Sequence, residues 1–220
     1  MENKRITLLC GHYGSGKTNI AVNMAILLRK SYEKVAIADL DIVNPYFRTK
    51  DSAEELQKAD VKLIVSEYAG TNVDIPALPQ DMYSITDDNS LRAVIDVGGD
   101  DRGALALGRL SDAIKQENDY EMLLVINKFR PLTPDVASTL EVMQEIETAC
   151  KIKFTGIVNN SNLGELTEAE DVINSLQYAN DVSEATGLPI KFTAVNETLY
   201  NSLKGEIENL FPLKLQKKIN

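Results

Sequence analysis

Short apolar runs alternate with longer segments of helical period along the whole chain. The short runs are rich in Val, Ile, Leu and Ala, which is typical of buried strands. They are Ile6–Cys10, Val35–Asp39, Lys62–Val65, Ala93–Val97, Met122–Asn127, Phe154–Asn159 and Ile190–Val195. Because runs of this kind alternate with helices, the pattern predicts an α/β fold: a doubly wound, mainly parallel sheet with helices on both faces.

Five segments between or after these runs repeat apolar residues every three or four positions, as amphipathic helices do. They are Lys17–Ser31, Gly103–Gln116, Pro134–Cys150, Glu168–Thr186 and about Glu197–Leu210. Two of them carry end signals. Thr133 is the expected N-cap of the third helix, Thr167 that of the fourth, and Gly187 should end the fourth.

Two stretches fit neither period. Residues 66–90 contain Gly70, Pro76 and Pro79, and are either a surface connection or a loop over a binding site. Both interpretations stay open. In the tail, Pro212 interrupts a short apolar face among lysines, which favours a docked or frayed end over a membrane-binding helix.

Length and charge narrow the class of protein. The 220 residues show no linker or repeat, so we expect a single domain over residues 1–220. A net charge of −10 argues against nucleic acid as a partner. There is neither a signal peptide nor an apolar span of membrane length, so a cytoplasmic protein without membrane attachment is expected. Cys10 and Cys150 are expected to be reduced core residues.

Residues 11–18 read G-H-Y-G-S-G-K-T and directly follow the first predicted strand. They match G-x-x-x-x-G-K-[ST], a phosphate-binding loop between a strand and a helix. Glycines let its backbone approach phosphate oxygens, and the helix N-terminus adds partial positive charge. Lys17 is predicted to reach the β- and γ-phosphates and Thr18 to bind Mg²⁺. The predicted nucleotide-binding residues of this loop are Gly11, His12, Tyr13, Gly14, Ser15, Gly16, Lys17 and Thr18.

Two later strands end in acidic residues. Asp39 and Asp41 close the second predicted strand, and Asp96 lies at the end of the fourth, just before Gly98 and Gly99. In a parallel sheet these ends share an edge with the phosphate loop, and carboxylates there suit Mg²⁺, which prefers oxygen ligands and keeps several waters. The pattern predicts Asp96 in a magnesium site. It also places a Gly99 N–H where only a triphosphate would engage it.

Four motifs, in this order, resemble those of the MinD/ParA/NifH class of P-loop ATPases, the deviant-Walker group of CobQ/CobB/MinD/ParA nucleotide-binding proteins. They are the G-H-Y-G-S-G-K-T loop, D-L-D at 39–41, D-V-G-G-D at 96–100 and G-I-V-N-N-S at 156–161. The resemblance covers most of the chain. It implies a P-loop fold with ATP or ADP and Mg²⁺ as ligands.

The resemblance also implies roles for single residues. Asp41 matches the aspartate that orients the attacking water, and Asp39 one near the magnesium shell. Asp96 matches the start of the second switch segment, and Asn160 an asparagine that reads the adenine base. The catalytic residues are then Lys17 and Asp41, the metal residues Thr18, Asp39 and Asp96, and the further nucleotide-binding residues Gly99 and Asn160.

One position departs from the family. Its signature lysine, which crosses a nucleotide-sandwich dimer, is His12 here, and Tyr13 replaces a glycine. An imidazole is cationic only when protonated, so an ATP-dependent homodimer is left open. Arg48 and Arg102 flank the presumed switches and are either substitute cations or solvated surface residues. The paired cysteines of metal-bridging relatives are absent from the sequence.

Three rival functions remain. A GTPase is disfavoured because N-K-F-R at 127–130 ends in Arg130, which cannot accept hydrogen bonds from guanine. A small-molecule kinase or ligase would use residues 66–90 for its substrate. A nucleotide-gated binding module would hydrolyse negligibly. The reading that fits best is a Mg-dependent ATP-binding switch that hydrolyses ATP slowly and acts on a protein effector.

Overall fold

The computed structural model describes residues 4–40, 50–65, 80–99 and 101–215. Its strands are all parallel and form one sheet. Its order is β3-β2-β4-β1-β5-β6-β7-β8. The strands are β1 Ile6–Cys10, β2 Val35–Leu40, β3 Lys62–Val65, β4 Arg92–Val97, β5 Tyr120–Ile126, β6 Gly156–Asn159, β7 Ile190–Asn196 and β8 Leu210–Leu213. The predicted fold class is confirmed, because parallel strands buried on both faces need helices on both sides.

The helices cover the two faces of this sheet. They are α1 Lys17–Arg29, α2 Lys50–Lys58, α3 Ser84–Asp87, α4 Asp101–Gly108, α5 Ser111–Glu117, α6 Val136–Cys150, α7 Ala169–Thr186 and α8 Glu197–Leu203. Single 3₁₀ turns occur at Gln80–Tyr83 and Gly164–Leu166.

Strand β1 lies at the centre, paired with β4 on one side and β5 on the other. All five of its residues are buried. Leu8 and Cys10 pack into a core with residues of α4, α5, α6 and α7. Leu9 faces the opposite way, into a second core with residues of α1 and α2. The loop that follows β1 is therefore anchored to the most buried strand of the molecule.

The predicted helix over 103–116 is two helices, α4 and α5. The first ends at Gly108, where a Cβ would lie 3.2 Å from the Ala149 carbonyl oxygen. Gly108 thus allows a close approach to α6, and the Ser111 hydroxyl stabilises the turn by donating a hydrogen bond to the Gly108 carbonyl at 2.8 Å. The apolar stripe that suggested one helix, Leu107, Leu110 and Ile114, is buried across the break.

The predicted helix over 197–210 ends early, at Leu203, and the chain returns as the edge strand β8. Pro212 lies in that strand, which pairs with β7 and has no second partner strand among the described residues, so its missing N–H breaks no ladder on the open side. Phe211 packs on Phe192 with ring centroids 5.0 Å apart. The tail is docked as far as residue 215.

Two helix caps lie one or two residues from the predicted positions. Asp135, rather than Thr133, caps α6 by accepting from the Ser138 N–H at 2.9 Å. Glu168, rather than Thr167, caps α7 in a reciprocal capping box with Asp171. Gly187 ends α7 in the left-handed conformation, as predicted.

Candidate functional site

The loop between β1 and α1 has a backbone that only glycine accommodates at three positions. Gly11, Gly14 and Gly16 have φ angles of 148°, 76° and 91°. A Cβ at Gly11 would overlap the Val125 carbonyl oxygen, and a Cβ at Gly16 would overlap the Asn160 amide nitrogen. The loop closes through a hydrogen bond from the Ser15 N–H to the His12 carbonyl at 3.1 Å. These glycines therefore give a tight cradle with its backbone open to a ligand.

Lys17 places a positive charge inside this cradle. It is buried, and its Nζ donates to the carbonyl oxygens of Gly11 at 3.0 Å and His12 at 3.1 Å. It is also the first residue of α1, whose N–H groups and dipole favour an anion at this end. The first turn of α1 holds no acidic residue that would compete. The cradle is thus electropositive although the chain as a whole is acidic.

The Ser15 hydroxyl tests whether an anion fits the cradle. Its oxygen is buried and has no hydrogen-bond partner in the described part of the chain. Leaving a buried hydroxyl unsatisfied costs about 1–3 kcal/mol. A phosphate oxygen in the loop would accept a hydrogen bond from it. The residues present therefore fit a bound polyphosphate.

Two buried aspartates lie side by side next to the cradle. Asp39 of β2 and Asp96 of β4 are register partners and are 4% and 1% exposed. The Thr18 hydroxyl donates to Asp96 Oδ2 at 2.5 Å. Two adjacent buried carboxylates repel each other, and a divalent cation with oxygen ligands would offset that repulsion. Thr18, Asp39 and Asp96, predicted from separate segments, are thus together and suit Mg²⁺.

The segment after β4 packs directly on the loop. A Cβ at Gly99 would overlap the Tyr13 nitrogen and lie 2.7 Å from the Tyr13 Cα. A Cβ at Gly103 would lie 2.8 Å from the Gly98 Cα. Glycine at 99 lets the backbone contact the phosphate loop, and glycine at 103 lets α4 pack on Gly98. A ligand in the loop would therefore bear on the start of α4.

Asn160 reaches the loop from the end of β6. Its side chain is buried, and Nδ2 donates to the Ser15 carbonyl at 2.6 Å. The adjoining loop is pinned by Asn127, whose Oδ1 accepts from the Phe129 N–H at 3.0 Å and the Asn162 N–H at 3.3 Å. Asn160 and the phosphate loop thus form one connected unit, although its role toward a base stays a prediction.

Sequence reasoning missed one neighbour of the loop. The Arg130 guanidinium lies against Gly14: a Cβ there would be 3.3 Å from Arg130 Nε and 3.6 Å from Nη1. In the sequence, Arg130 stands out only as a mismatch to a guanine-reading motif. The sequence carried no signal of this contact, because it depends on β5 lying beside β1 in the sheet.

Other predicted residues have different outcomes. His12 is half-buried, with its Nδ1 2.9 Å from the Tyr13 carbonyl oxygen. Asp41 and Arg48 lie outside the described residues, as do the Arg102 side chain and residues 66–79. Residues 80–90 are part of the fold, since Met82 and Ile85 are buried in the core.

The thiol that precedes the loop is chemically quiet. Burial raises the pKa of Cys10 well above its ordinary value, and Cys150 and Asp96 act in the same direction, against Lys17. Both cysteines are buried and form no disulfide. Their predicted position in the core is confirmed.

A parallel doubly wound sheet, with a G-x-x-x-x-G-K-T loop between its central strand and the next helix, defines a P-loop nucleotide-binding protein of the nucleoside-triphosphatase fold. The model of the CobQ/CobB/MinD/ParA nucleotide binding domain matches residues 6–186. The chain belongs to this family, as its motifs predicted.

Solved structures share the fold at low sequence identity. The cell division protein FtsY of Thermotoga maritima is 18% identical with a TM-score of 0.57, over 87% of this chain and 62% of that one. FtsY of Mycoplasma mycoides is 21% identical with a TM-score of 0.52, over 87% and 60%. The 54 kDa signal recognition particle protein of Aeropyrum pernix, solved with GDP, is 18% identical with a TM-score of 0.50, over 86% and 40%.

The chain spans about three-fifths of the length of these FtsY chains. No curated protein matches its sequence. Among the described residues, no helix has the length and apolar character needed to span a bilayer.

Proposed function

We propose that this protein is a Mg-dependent, ATP-binding switch that hydrolyses ATP slowly and acts on a protein effector. The observation that carries the proposal is the meeting of the cradle at 11–18 with the paired aspartates Asp39 and Asp96. The cradle suits a polyphosphate, and the aspartates with Thr18 suit its metal ion. One site thus has separate groups for each half of Mg·ATP.

Each residue then has a chemical task. Lys17 and the loop N–H groups bind the phosphates, and the Ser15 hydroxyl adds a donor. Thr18, Asp39 and Asp96 hold Mg²⁺ directly or through water. When bound, Mg²⁺ neutralises charge that develops on the phosphates. Asp41, by resemblance to the family, orients the attacking water.

The segment after β4 would respond to the γ-phosphate. Gly99 packs on the Tyr13 backbone, and its N–H is proposed to engage a triphosphate but not a diphosphate. Residues 41–50 and 97–103 would then change arrangement on hydrolysis. A switch of this kind implies an effector that distinguishes the two arrangements, or a second copy of the chain bound only with ATP.

Adenine is the base we propose. The N-K-F-R segment lacks the carboxylate that would accept hydrogen bonds from guanine, and Asn160 is held beside the loop at the position that reads adenine in the family. GDP in the Aeropyrum pernix structure makes guanine the alternative to test.

A nucleotide-gated binding module is the second candidate. It is favoured by His12, which lacks the fixed charge of the signature lysine that assists hydrolysis in relatives. The two candidates share the site and differ only in turnover.

Thermal unfolding with Mg²⁺ and ADP or GDP tests binding and base choice. A ligand at 100 times its Kd adds about 2.7 kcal/mol, which raises the melting temperature of a chain this long by about 5–10 °C. We expect protection by ADP, much less by GDP, and neither in Lys17→Ala. Protection retained in Lys17→Ala would contradict the site.

Phosphate release from ATP, with no added acceptor, then separates the two candidates. We expect slow release that is lost in Asp41→Ala. No release from a wild-type protein that binds ATP would favour the binding module.

A further inference from the structure

Arg130 is an exposed cation held next to the phosphate loop by a different part of the chain. It lies in the connection between β5 and α6, four residues after Ile126. Because β5 pairs with β1, this connection leaves the sheet beside the loop that follows β1. The guanidinium rests on the backbone of Gly14, at the middle of the cradle.

The charge of Arg130 is not used elsewhere. In the part of the chain that the structure describes, its side chain forms no ion pair and no hydrogen bond. It adds a second positive charge beside a cradle that already contains Lys17.

The backbone that carries Arg130 is well fixed. The Arg130 N–H donates to the Asn127 carbonyl at 3.1 Å, and its own carbonyl accepts from the Thr133 N–H at 3.1 Å. Asn127 is fully buried, and the Thr133 carbonyl accepts from the Tyr178 hydroxyl at 3.1 Å. The turn is thus tied to both β5 and α7, and only the long side chain is free to adjust.

We propose that Arg130 binds phosphate oxygens of the nucleotide from within the same chain, and so supplies a fixed cation where His12 supplies none. A guanidinium presents two parallel N–H donors that match two phosphate oxygens, and it stays charged at every accessible pH. This inference rests on the proposed function, because it assigns a contact to the nucleotide proposed there. It makes the phosphate site complete in one chain, with no residue required from a second copy.

The contact is predicted to be with phosphate rather than with the base. The guanidinium lies at Gly14, whereas the position proposed to read the base, Asn160, meets the loop at Ser15 and Gly16. Inorganic tripolyphosphate therefore tests the assignment, because it offers the same anion without a base or a sugar.

The experiment is a calorimetric titration of a non-hydrolysable ATP analogue and of tripolyphosphate, each with Mg²⁺, into wild type, Arg130→Gln and Arg130→Lys. Loss of one charge-assisted contact should weaken both ligands about tenfold in Arg130→Gln. Arg130→Lys keeps the charge but not the two parallel N–H donors, so its affinity should lie between those of wild type and Arg130→Gln. Arg109→Gln makes the same charge change in the turn between α4 and α5 and should bind like wild type.

Three results would overturn the assignment. Unchanged affinity in Arg130→Gln would show that the guanidinium is a solvated surface group. A loss for the analogue alone, with tripolyphosphate unaffected, would place it on the base. An equal loss in Arg109→Gln would reduce the effect to overall charge. Since the Arg130 side chain is exposed, all variants should have the melting temperature of wild type in the absence of ligand.

The titration also separates this inference from the proposed function. If wild type binds and Lys17→Ala does not, while Arg130→Gln matches wild type, only the role of Arg130 fails. If wild type takes up neither ligand, the proposed nucleotide site itself fails, and the role of Arg130 with it.

Discussion

The phosphate loop depends on single residues that have no room to change. Gly16 combines a φ of 91° with a Cβ position that overlaps the Asn160 amide. The same amide nitrogen donates to the Ser15 carbonyl, so it cannot move without giving up that hydrogen bond. Conformation and contact thus require glycine for two separate reasons.

Gly16→Ala should abolish nucleotide-dependent stabilisation, because the added methyl displaces Asn160 and opens the cradle. The strained backbone alone costs about 1 kcal/mol. Gly187→Ala is the matched control: its φ is 71°, but a Cβ there meets nothing within 4 Å. Thermal melts should show a loss of about 2–4 °C without ligand for the control, with nucleotide protection intact. Equal protection in both variants would contradict the cradle.

The two thiols should be unreactive in the folded protein. Burial raises the pKa of both Cys10 and Cys150, so the thiolate that attacks Ellman's reagent is scarce at pH 8. The pKa of each thiol is higher in the folded than in the unfolded protein. The contribution of the thiols to folding stability is therefore fully present at neutral pH, and it is lost as the pH rises through the ordinary cysteine pKa and above. Both thiols should react only in denaturant, and rapid reaction without it would contradict their burial.

At the scale of elements, an ion pair and a hydrogen bond of a buried side chain fix the strand that precedes the loop. Arg5, just before β1, is 4% exposed and makes a two-pronged ion pair with Glu117 at the end of α5. It also donates to the Leu91 carbonyl at 2.8 Å, next to β4. The Arg5 side chain therefore links the start of β1 to the end of α5 and to the residue that precedes β4.

Arg5→Ala should destabilise the protein by about 3 kcal/mol, because it leaves a part-buried carboxylate and a buried carbonyl without their donor. Lys4→Ala is the neighbouring control. Lys4 and Asp119 are each 46% exposed, so their loss should cost under about 1 kcal/mol. Urea unfolding measures both. Similar midpoints for the two variants would show that Arg5 is not the tie described.

Element types followed from the sequence where the period was long and unbroken. The strand Ile6–Cys10 and the start of α1 at Lys17 agree with prediction to the residue. The break between α4 and α5 could not be read, because Leu107, Leu110 and Ile114 keep a helical spacing across it. Only the close contact of Gly108 with α6 explains it, and that contact is tertiary.

The site was predictable in its motifs but not in its neighbours. Thr18, Asp39 and Asp96 could be brought together because parallel strands end at one edge. Arg130 could not, because its place depends on β5 lying beside β1, and strands apolar on both faces carry no signal of sheet order. The edge strand β8 was also not predicted, because Pro212 indicates the break of a helix and is tolerated in a strand only at the edge of a sheet.

On the scale of the whole molecule, positive charges gather at the candidate site although the net charge of the chain is negative. The chain is strongly acidic, yet Lys17, Arg130 and the N-terminus of α1 converge at one edge of the sheet. A local positive field of this kind attracts a polyanion to this edge. The exposed side chains of Tyr13 and Leu132 lie in the two loops around that edge.

The exposed apolar side chains at this edge are where a second copy would bind if the protein forms an ATP-dependent dimer. If His12 takes the place of the signature lysine, sedimentation with Mg²⁺ and a non-hydrolysable ATP analogue should show a larger dimer fraction than with ADP, and His12→Ala should remove the increase. A monomer in both nucleotides would contradict dimerisation and leave Arg130 as the sole substitute for the signature lysine.

The central claim is that the loop at 11–18 binds a nucleotide, and calorimetric titration with Mg²⁺ and a non-hydrolysable ATP analogue tests it most directly. Wild type should bind one nucleotide per chain with a Kd below about 1 mM, and Lys17→Ala at least about tenfold more weakly. Equal affinity in wild type and Lys17→Ala, or no heat of binding in wild type at millimolar nucleotide, would contradict the claim.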